Sequence, residues 1–254
     1  MSSMHEDICT SADRKRVAII ILPFHKHQRL DRNLETARSD LRFANRRVLK
    51  EAPCSVGILV DRGLGGTTHV SASNVNYTVM TFFFGGHDDR EALSYGALMA
   101  EHAGISLNVV RFIVDPKVVG DSVRLDVNDW SVPEGRPSDE EFIADFKERV
   151  TGDGSIKNEE TEVTDIGGMV GVIRMHNCCN VFLIGRIPEG QLIVGLNRKG
   201  ECPELGPVGN LLISPEFKTT ASVLVVQQYR EQLTGKALDS LEEEYTTDDA
   251  PDSR

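Results

Sequence analysis

Two successive open α/β sheets, the first incomplete at its N-terminus, are the fold this sequence predicts, and three observations carry the prediction. Short continuous runs of β-branched and apolar residues recur at 17–22, Ser55–Val60, 77–84, 107–114, Val181–Gly185 and 220–226. Such runs belong to strands covered on both faces. Between them lie polar stretches with helical spacing and helix caps. The order also repeats itself: strand 17–22, loop, helix and strand 52–60 are echoed by strand Val181–Gly185, loop, helix and strand 220–226. The second copy has a matching opening half at 75–165, whereas only residues 1–16 stand before the first. A lone pair of parallel strands exposes a backbone edge and an uncovered apolar face. The chain is therefore expected to be a piece of a longer protein, with its function belonging to the whole.

The elements follow in order. Residues 4–14 suit a short helix with Ile8 and Cys9 inward. The strand at 17–22 stops at Pro23, and Pro23-Phe24-His25-Lys26-His27-Gln28 reads as a loop. From 34 to 50, Leu41, Ala44, Val48 and Leu49 recur at helical spacing on a basic surface, and Pro53 ends that helix. Gly63, Gly65, Gly66 and the polar tract after them mark a linker at 67–76. It separates a closing half-domain at 1–66 from a complete second domain at 77–229. In the second domain the strand 77–84 stops at Gly85-Gly86. A helix over 89–102, with Leu93, Ala97, Leu98 and Met99, is closed by Gly104. Strand 107–114 and an irregular stretch at 115–137, which holds Trp130, come next. Ser138-Asp139-Glu140-Glu141 is a capping-box start for a helix that buries Phe142, Ile143 and Phe146. A strand within 157–163, a helix at 166–175 and a glycine-rich loop at 186–206 complete the pattern. That loop lies at the carboxyl ends of the strands, the edge where open α/β sheets bind ligands.

Composition narrows the classes of function. With 40% hydrophobic and 26% charged residues, the chain can build a core of ordinary size. A net charge of −11 argues against nucleic acid or an anionic membrane surface, both of which select a basic face. Much of the acidity sits at 230–254, expected to be a mobile acidic tail. No stretch approaches the roughly 18–20 apolar residues of a membrane helix, so no direct membrane insertion by this chain is expected. The polar N-terminus lacks signal-peptide character. Five cysteines without regular spacing favour a reducing compartment over a disulfide framework.

Few residues suggest chemistry. His25-x-His27 offers two imidazoles but no further ligand at metal-site spacing, so an ordinary polar loop is the leading reading and no metal is expected. Cys178-Cys179 precedes a core strand without a partner base, which suits small buried hydrophobes better than a nucleophile. Gly85-Gly86-His87-Asp88-Asp89 follows a strand and opens a helix; a turn with a helix cap leads, and a small-ligand loop at Gly85 and Gly86 is the alternative. Gly206-Pro207-Val208-Gly209 resembles half of a phosphate-cradling loop, which makes Gly206 and Gly209 the other small-ligand candidates. Paired carboxylates, a triad and a P-loop do not stand out, so no catalytic residue, no cofactor and no enzymatic activity are expected.

Longer blocks carry a resemblance. Ile20-Ile21-Leu22-Pro23-Phe24-His25-Lys26-His27-Gln28, Asn45-Arg46-Arg47-Val48-Leu49, and the run at 52–66 stand with Phe83-Phe84-Gly85-Gly86-His87-Asp88-Asp89-Arg90-Glu91-Ala92-Leu93, Met99-Ala100-Glu101-His102 and Glu201-Cys202-Pro203-Glu204-Leu205-Gly206-Pro207-Val208-Gly209. Over nearly the whole chain to about Tyr229, they resemble the cytosolic C-terminal region of plant cation/proton exchangers of the monovalent cation:proton antiporter-2 family. The resemblance implies tandem universal-stress-protein-like domains. It also implies a parent that exchanges K+ for H+, mostly in endomembranes, with the membrane domain or a second tail (a homodimer) as partner. The nucleotide motif of stress proteins does not carry over whole: 23–27 replaces glycines in the first unit, and the second keeps Gly206 and Gly209. A soluble nucleotide-binding stress protein is the alternative.

Overall fold

The computed structural model describes residues 3–28, 34–36, 39–64, 76–114, 138–190, 193, 196 and 201–230. Its strands are β1 (Ile19–Pro23), β2 (Lys26–Gln28), β3 (Leu34–Thr36), β4 (Ser55–Val60), β5 (Tyr77–Phe83), β6 (Ile105–Val114), β7 (Ile156–Val163), β8 (Val181–Gly185) and β9 (Ser222–Gln227). Seven of them form a single sheet in the order β1-β4-β9-β8-β5-β6-β7. All neighbours run parallel except β4 and β9, which are antiparallel.

The helices are α1 (Met4–Lys15), α2 (Ser39–Glu51), α3 (His87–Ala100), α4 (Asp139–Arg149), α5 (Ile166–Met175) and α6 (Gly206–Ile213). Ala12 of α1, Val48 and Leu49 of α2, Met169 and Ile173 of α5, and Val208 and Leu212 of α6 bury against one face. Ala92, Leu93 and Ala100 of α3, with Ile143 and Phe146 of α4, cover the other. Each fully buried Leu, Ile or Phe in these layers contributes roughly 1.5–3 kcal/mol. Helices on both faces explain why the central strands are apolar throughout: β8 is buried at every position.

The sequence expectation of a repeat takes a definite geometric form. β1 and β4 pair in register Ile19↔Ser55, and β8 and β9 in register Val181↔Ser222. Where the two pairs meet, β4 faces β9 across Ile58↔Val225, each the fourth residue of its strand. The flanking hydrogen bonds are mirrored. Arg62 N–H donates to Ser222 Oγ at 2.8 Å, and Tyr229 N–H to Ser55 Oγ at 3.1 Å. Phe24 N–H donates to the Leu59 carbonyl at 2.9 Å, and Arg186 N–H to that of Val226 at 2.8 Å. A local two-fold axis therefore passes between Ile58 and Val225.

This joint was not foreseen, because separate sheets were expected. β4 does not expose an edge, since β9 satisfies it. The edge that stays open is the outer side of β1, which no strand pairs among the described residues. Its Ile21 is 54% exposed, on the face that α3 and α4 cover elsewhere. Of the two edges expected to be open, the one on β4 is closed by β9, and among the described residues the one on β1 is unpaired, with Ile21 exposed beside it.

Smaller differences have local causes. Leu34–Thr36 belongs to a hairpin with Lys26–Gln28, so α2 starts at Ser39 rather than 34, and the expected loop at 23–28 contains a short strand. Backbone pairing with a neighbour outweighs helical spacing here. α3 begins at His87, and its inward residues include Ala92, Leu93, Gly96 and Ala100, whereas Leu98 is 58% exposed. Gly104 is not its cap; the helix ends at Ala100 with Glu101 as its C-cap, and the Gly104 carbonyl accepts from Tyr77 N–H at the start of β5. The capping box of α4 is present, with Glu141 N–H donating to Ser138 Oγ. The expected linker at 67–75, the irregular stretch at 115–137 and the acidic tail from 231 lie outside the described residues.

Candidate functional site

At the carboxyl ends of β5, β8 and β9, the chain turns from β5 into α3 through Phe84-Gly85-Gly86. Gly85 and Gly86 have φ of 121° and 92°, a region glycine enters at little steric cost. Their amides are engaged: Gly85 N–H donates to Asp89 Oδ2 at 3.1 Å, alongside Phe84 N–H at 2.8 Å, and Gly86 N–H to Asp139 Oδ2 at 3.0 Å. Asp139 also pairs with Arg90. The Gly85 carbonyl accepts from Glu189 N–H at 2.8 Å, so the loop after β8 lies against this turn.

The second candidate pair grips the same loop from the other side. Gly206 has φ of 65°, and any side chain there would run into the carbonyl of Arg186. Gly209 lets α6 close on Val225 of β9, where a Cβ would stand 3.1 Å from Val225 Cγ2. The Arg186 guanidinium donates to Gln227 Oε1 at 2.7 Å and to the Pro203 carbonyl at 3.3 Å. The structure thus brings Gly85, Gly86 and Gly206 around one segment, 186–189.

Two aspartates hold the same corner. Asp88 is fully buried and accepts from Ile187 N–H and Gln228 N–H, each at 3.0 Å, with Arg230 3.6 Å away. Burial raises its pKa, opposed by Arg230 and these two amides. Asp89, equally buried, is raised well above the ordinary carboxylate range by desolvation. Beside them a cavity of about 370 Å³ is lined by His87, Arg90, Glu91, Ser94, Phe142, Gln228 and Tyr229.

Cys178 is exposed and Cys179 half-buried. Burial pushes the Cys179 thiol up to about 12, which leaves a negligible thiolate fraction at neutral pH.

A separate buried cluster joins the two halves of the sheet. His25 follows β1, and Cys202 and Glu204 precede α6. Their Nδ1, Sγ and carboxylate oxygens all lie within 4.8 Å of one another. His25 Nδ1 is 2.8 Å from Glu204 Oε1, with side-chain exposures of 1% and 0%. Neither atom, nor Glu204 Oε2, has the alignment of a hydrogen bond. Burial is the main cause that lowers the His25 pKa and raises that of Cys202. Sequence reading missed this set because the ligands stand about 180 residues apart and only the fold unites them. The side chain of His27 lies outside the described residues.

Residues 1–64 match the family described as "Plant cation/H(+) antiporter domain", and residues 76–227 match "Plant cation/H(+) antiporter, C-terminal domain". The chain belongs to the plant cation/H(+) antiporter family. It is 50% identical to Cation/H(+) antiporter 18 of Arabidopsis thaliana over 261 residues, covering 100% of this chain and 32% of that protein. With Cation/H(+) antiporter 17 of the same plant the identity is 47%, over 90% of this chain and 30% of the relative. The chain thus spans about a third of the length of these relatives. Among solved structures, a universal stress protein from Archaeoglobus fulgidus aligns at a TM-score of 0.42 with 10% identity, over 90% of this chain and 66% of that one. UspA of Lactobacillus plantarum aligns at 0.36 with 10% identity, over 61% of this chain and all of the other. Among the described residues no helix is long and apolar enough to cross a membrane.

Proposed function

We propose that this chain is a regulatory, cytosolic C-terminal part of a monovalent cation (K+):proton antiporter, acting in cation and pH homeostasis at an endomembrane or the plasma membrane and not transporting by itself. Family membership and the absence of a candidate span among the described residues support this division of labour. Transport needs ionisable groups inside the membrane, and this region holds a soluble type of sheet instead.

The observation that carries the reading is the outer edge of β1. On β8, the symmetry-related position is taken by β5. On β1 the same edge is unpaired among the described residues, with Ile21 exposed beside it. An open parallel edge with an apolar face is a docking surface for another strand and its covering helix. Partners are the remainder of the antiporter or a second tail, and docking that differs between transport states shifts the transporter between them.

The test replaces the corresponding region of Cation/H(+) antiporter 18 by this chain and measures K+/H+ exchange in vesicles. Ile21→Lys is expected to change exchange severalfold at equal membrane abundance. Unchanged exchange, or firm membrane association of the chain expressed alone, would refute the reading. The nucleotide alternative has less support, since the amides of Gly85 and Gly86 already bind carboxylates. Equilibrium dialysis against ATP and AMP is expected to detect no binding at millimolar ligand.

A further inference from the structure

We propose that His25, Cys202 and Glu204 form a binding site for one Zn2+ ion, which ties the first half of the sheet to the second. The three residues bring an imidazole nitrogen, a sulfur and a carboxylate to one buried point, with all donor atoms within 4.8 Å. Zinc is bound by this mixture of donors, usually through three or four protein ligands in tetrahedral array. Bond lengths of about 2.0 Å to N and O and about 2.3 Å to S place tetrahedral donors about 3.3–3.6 Å apart. The His25–Glu204 contact of 2.8 Å needs to open by roughly half an ångström to reach that spacing, a side-chain adjustment.

The second, independent observation is the unsatisfied state of the cluster. Glu204 is fully buried, and neither of its carboxylate oxygens is in a hydrogen bond; the same holds for His25 Nδ1. Beside it stands the His25 imidazole, 2.8 Å away without hydrogen-bond alignment, and a buried carboxylate so poorly compensated costs several kcal/mol. A Zn2+ ion bound to one carboxylate, one thiolate and one neutral imidazole forms a group with no net charge, which removes that cost. Sulfur and imidazole donors disfavour Ca2+ and Mg2+, which take oxygen ligands.

Two cations bear on the site. Lys26 donates to Glu201 Oε2 at 2.9 Å, and Arg42 Nη2 donates to the Glu201 carbonyl at 2.9 Å. On zinc binding, Lys26 keeps its bond to Glu201.

The test uses the full chain, stripped with chelator and titrated with Zn2+ against a chromophoric competitor, and with Co2+ as a spectroscopic probe. One ion per chain and a thiolate-to-cobalt charge-transfer band are expected. Cys202→Ser should abolish the band, and His25→Ala and Glu204→Gln should each weaken Zn2+ binding at least about tenfold. Cys178→Ser, Cys9→Ser and Cys54→Ser should leave both unchanged. Zinc should also raise the melting temperature of the unmodified chain, since a ligand bound only to the native state stabilises it. That readout does not depend on any variant folding. Absence of stoichiometric binding, a band that survives Cys202→Ser, or loss of the band in Cys178→Ser would overturn the proposal. None of these outcomes bears on the antiporter role, which rests on the edge of β1.

Discussion

Asp88 is the point at which the loop after β8 and the segment after β9 are tied to the start of α3. In Asp88→Ala, the N–H groups of Ile187 and Gln228 lose acceptors that each stand at 3.0 Å. An unsatisfied buried donor costs about 1–3 kcal/mol, so the two together amount to about 2–6 kcal/mol. Part of this is offset because the carboxylate is itself held in a desolvated place, as its raised pKa shows. A net loss of about 2–4 kcal/mol is expected. Asp88→Asn keeps one acceptor and faces the other N–H with its own amide, so it should lose about half as much. Urea unfolding at pH 7, read as a midpoint shift at constant m, measures both.

The pH dependence of that difference has a definite sign. A carboxyl group with a raised folded pKa binds its proton more tightly in the folded state. Its stabilising contribution is therefore complete below about pH 4, the unfolded value, and is lost as pH rises through the folded pKa. The gap between the unmodified chain and Asp88→Ala should narrow over that window. A destabilisation below about 0.5 kcal/mol, or a gap that widens with rising pH, would refute the account of Asp88 as a desolvated tie.

Three further outcomes are expected. Gly86→Ala should lower the melting temperature, because φ of 92° and the Glu189 side chain 2.6 Å from the new Cβ together impose roughly 1–3 kcal/mol of strain; an unchanged transition in differential scanning calorimetry would contradict it. Iodoacetamide at pH 7.5, followed by peptide mass spectrometry, should label exposed Cys178 well before Cys179, whose thiol titrates at about 12; equal rates would show that Cys179 is not held as described. Ser222→Ala and Ser55→Ala should each cost about 1 kcal/mol in urea unfolding, since each removes the acceptor of a mirrored N–H bond, and Ser55→Ala should cost more because Ser55 Oγ donates to Glu91 at 2.6 Å whereas Ser222 Oγ reaches Asp61 only at 3.4 Å.

The parts of the fold that were legible are those fixed by local sequence. The bounds of β4 and α5 follow directly from the runs at Ser55–Val60 and Ile166–Met175, where apolar content, a cap residue and a turn signal coincide. The capping box at Ser138 is readable because its partner, Glu141, is three residues away. What could not be read are pairings across large separations. The β2–β3 hairpin is invisible because three-residue strands carry too short a pattern. The β4–β9 joint is invisible because edge-to-edge contact leaves no periodicity in either strand. The candidate glycines were recognisable as special positions, but their purpose was not: only coordinates reveal that Arg186 and Glu189 fill the space beside Gly206 and Gly85. The burial of Glu204 against His25 is set by how α6 meets the loop after β1, which no local pattern encodes.

The two-fold relation gives the open edge of β1 its meaning. Two-fold pairing of antiparallel strands places equivalent residues opposite each other only at the axis, and here Ile58 meets Val225, both essentially fully buried. Moving outward, β4 corresponds to β9 and β1 to β8, with hydrogen bonds matched on each side. The next strand on the β8 side is β5, in register Val79↔Val181, and α3 beyond it shields the sheet with Ala92 and Leu93. By the same operation, the residue opposite Ile19 would be the counterpart of Val79, and a helix related to α3 would cover Ile21. A strand seated on β1 as β5 is seated on β8 would run parallel to it and lead into a helix, as β5 leads into α3. A second β1 edge would pair antiparallel about a two-fold of its own, as β4 and β9 do, whereas a strand seated as β5 is on β8 pairs parallel.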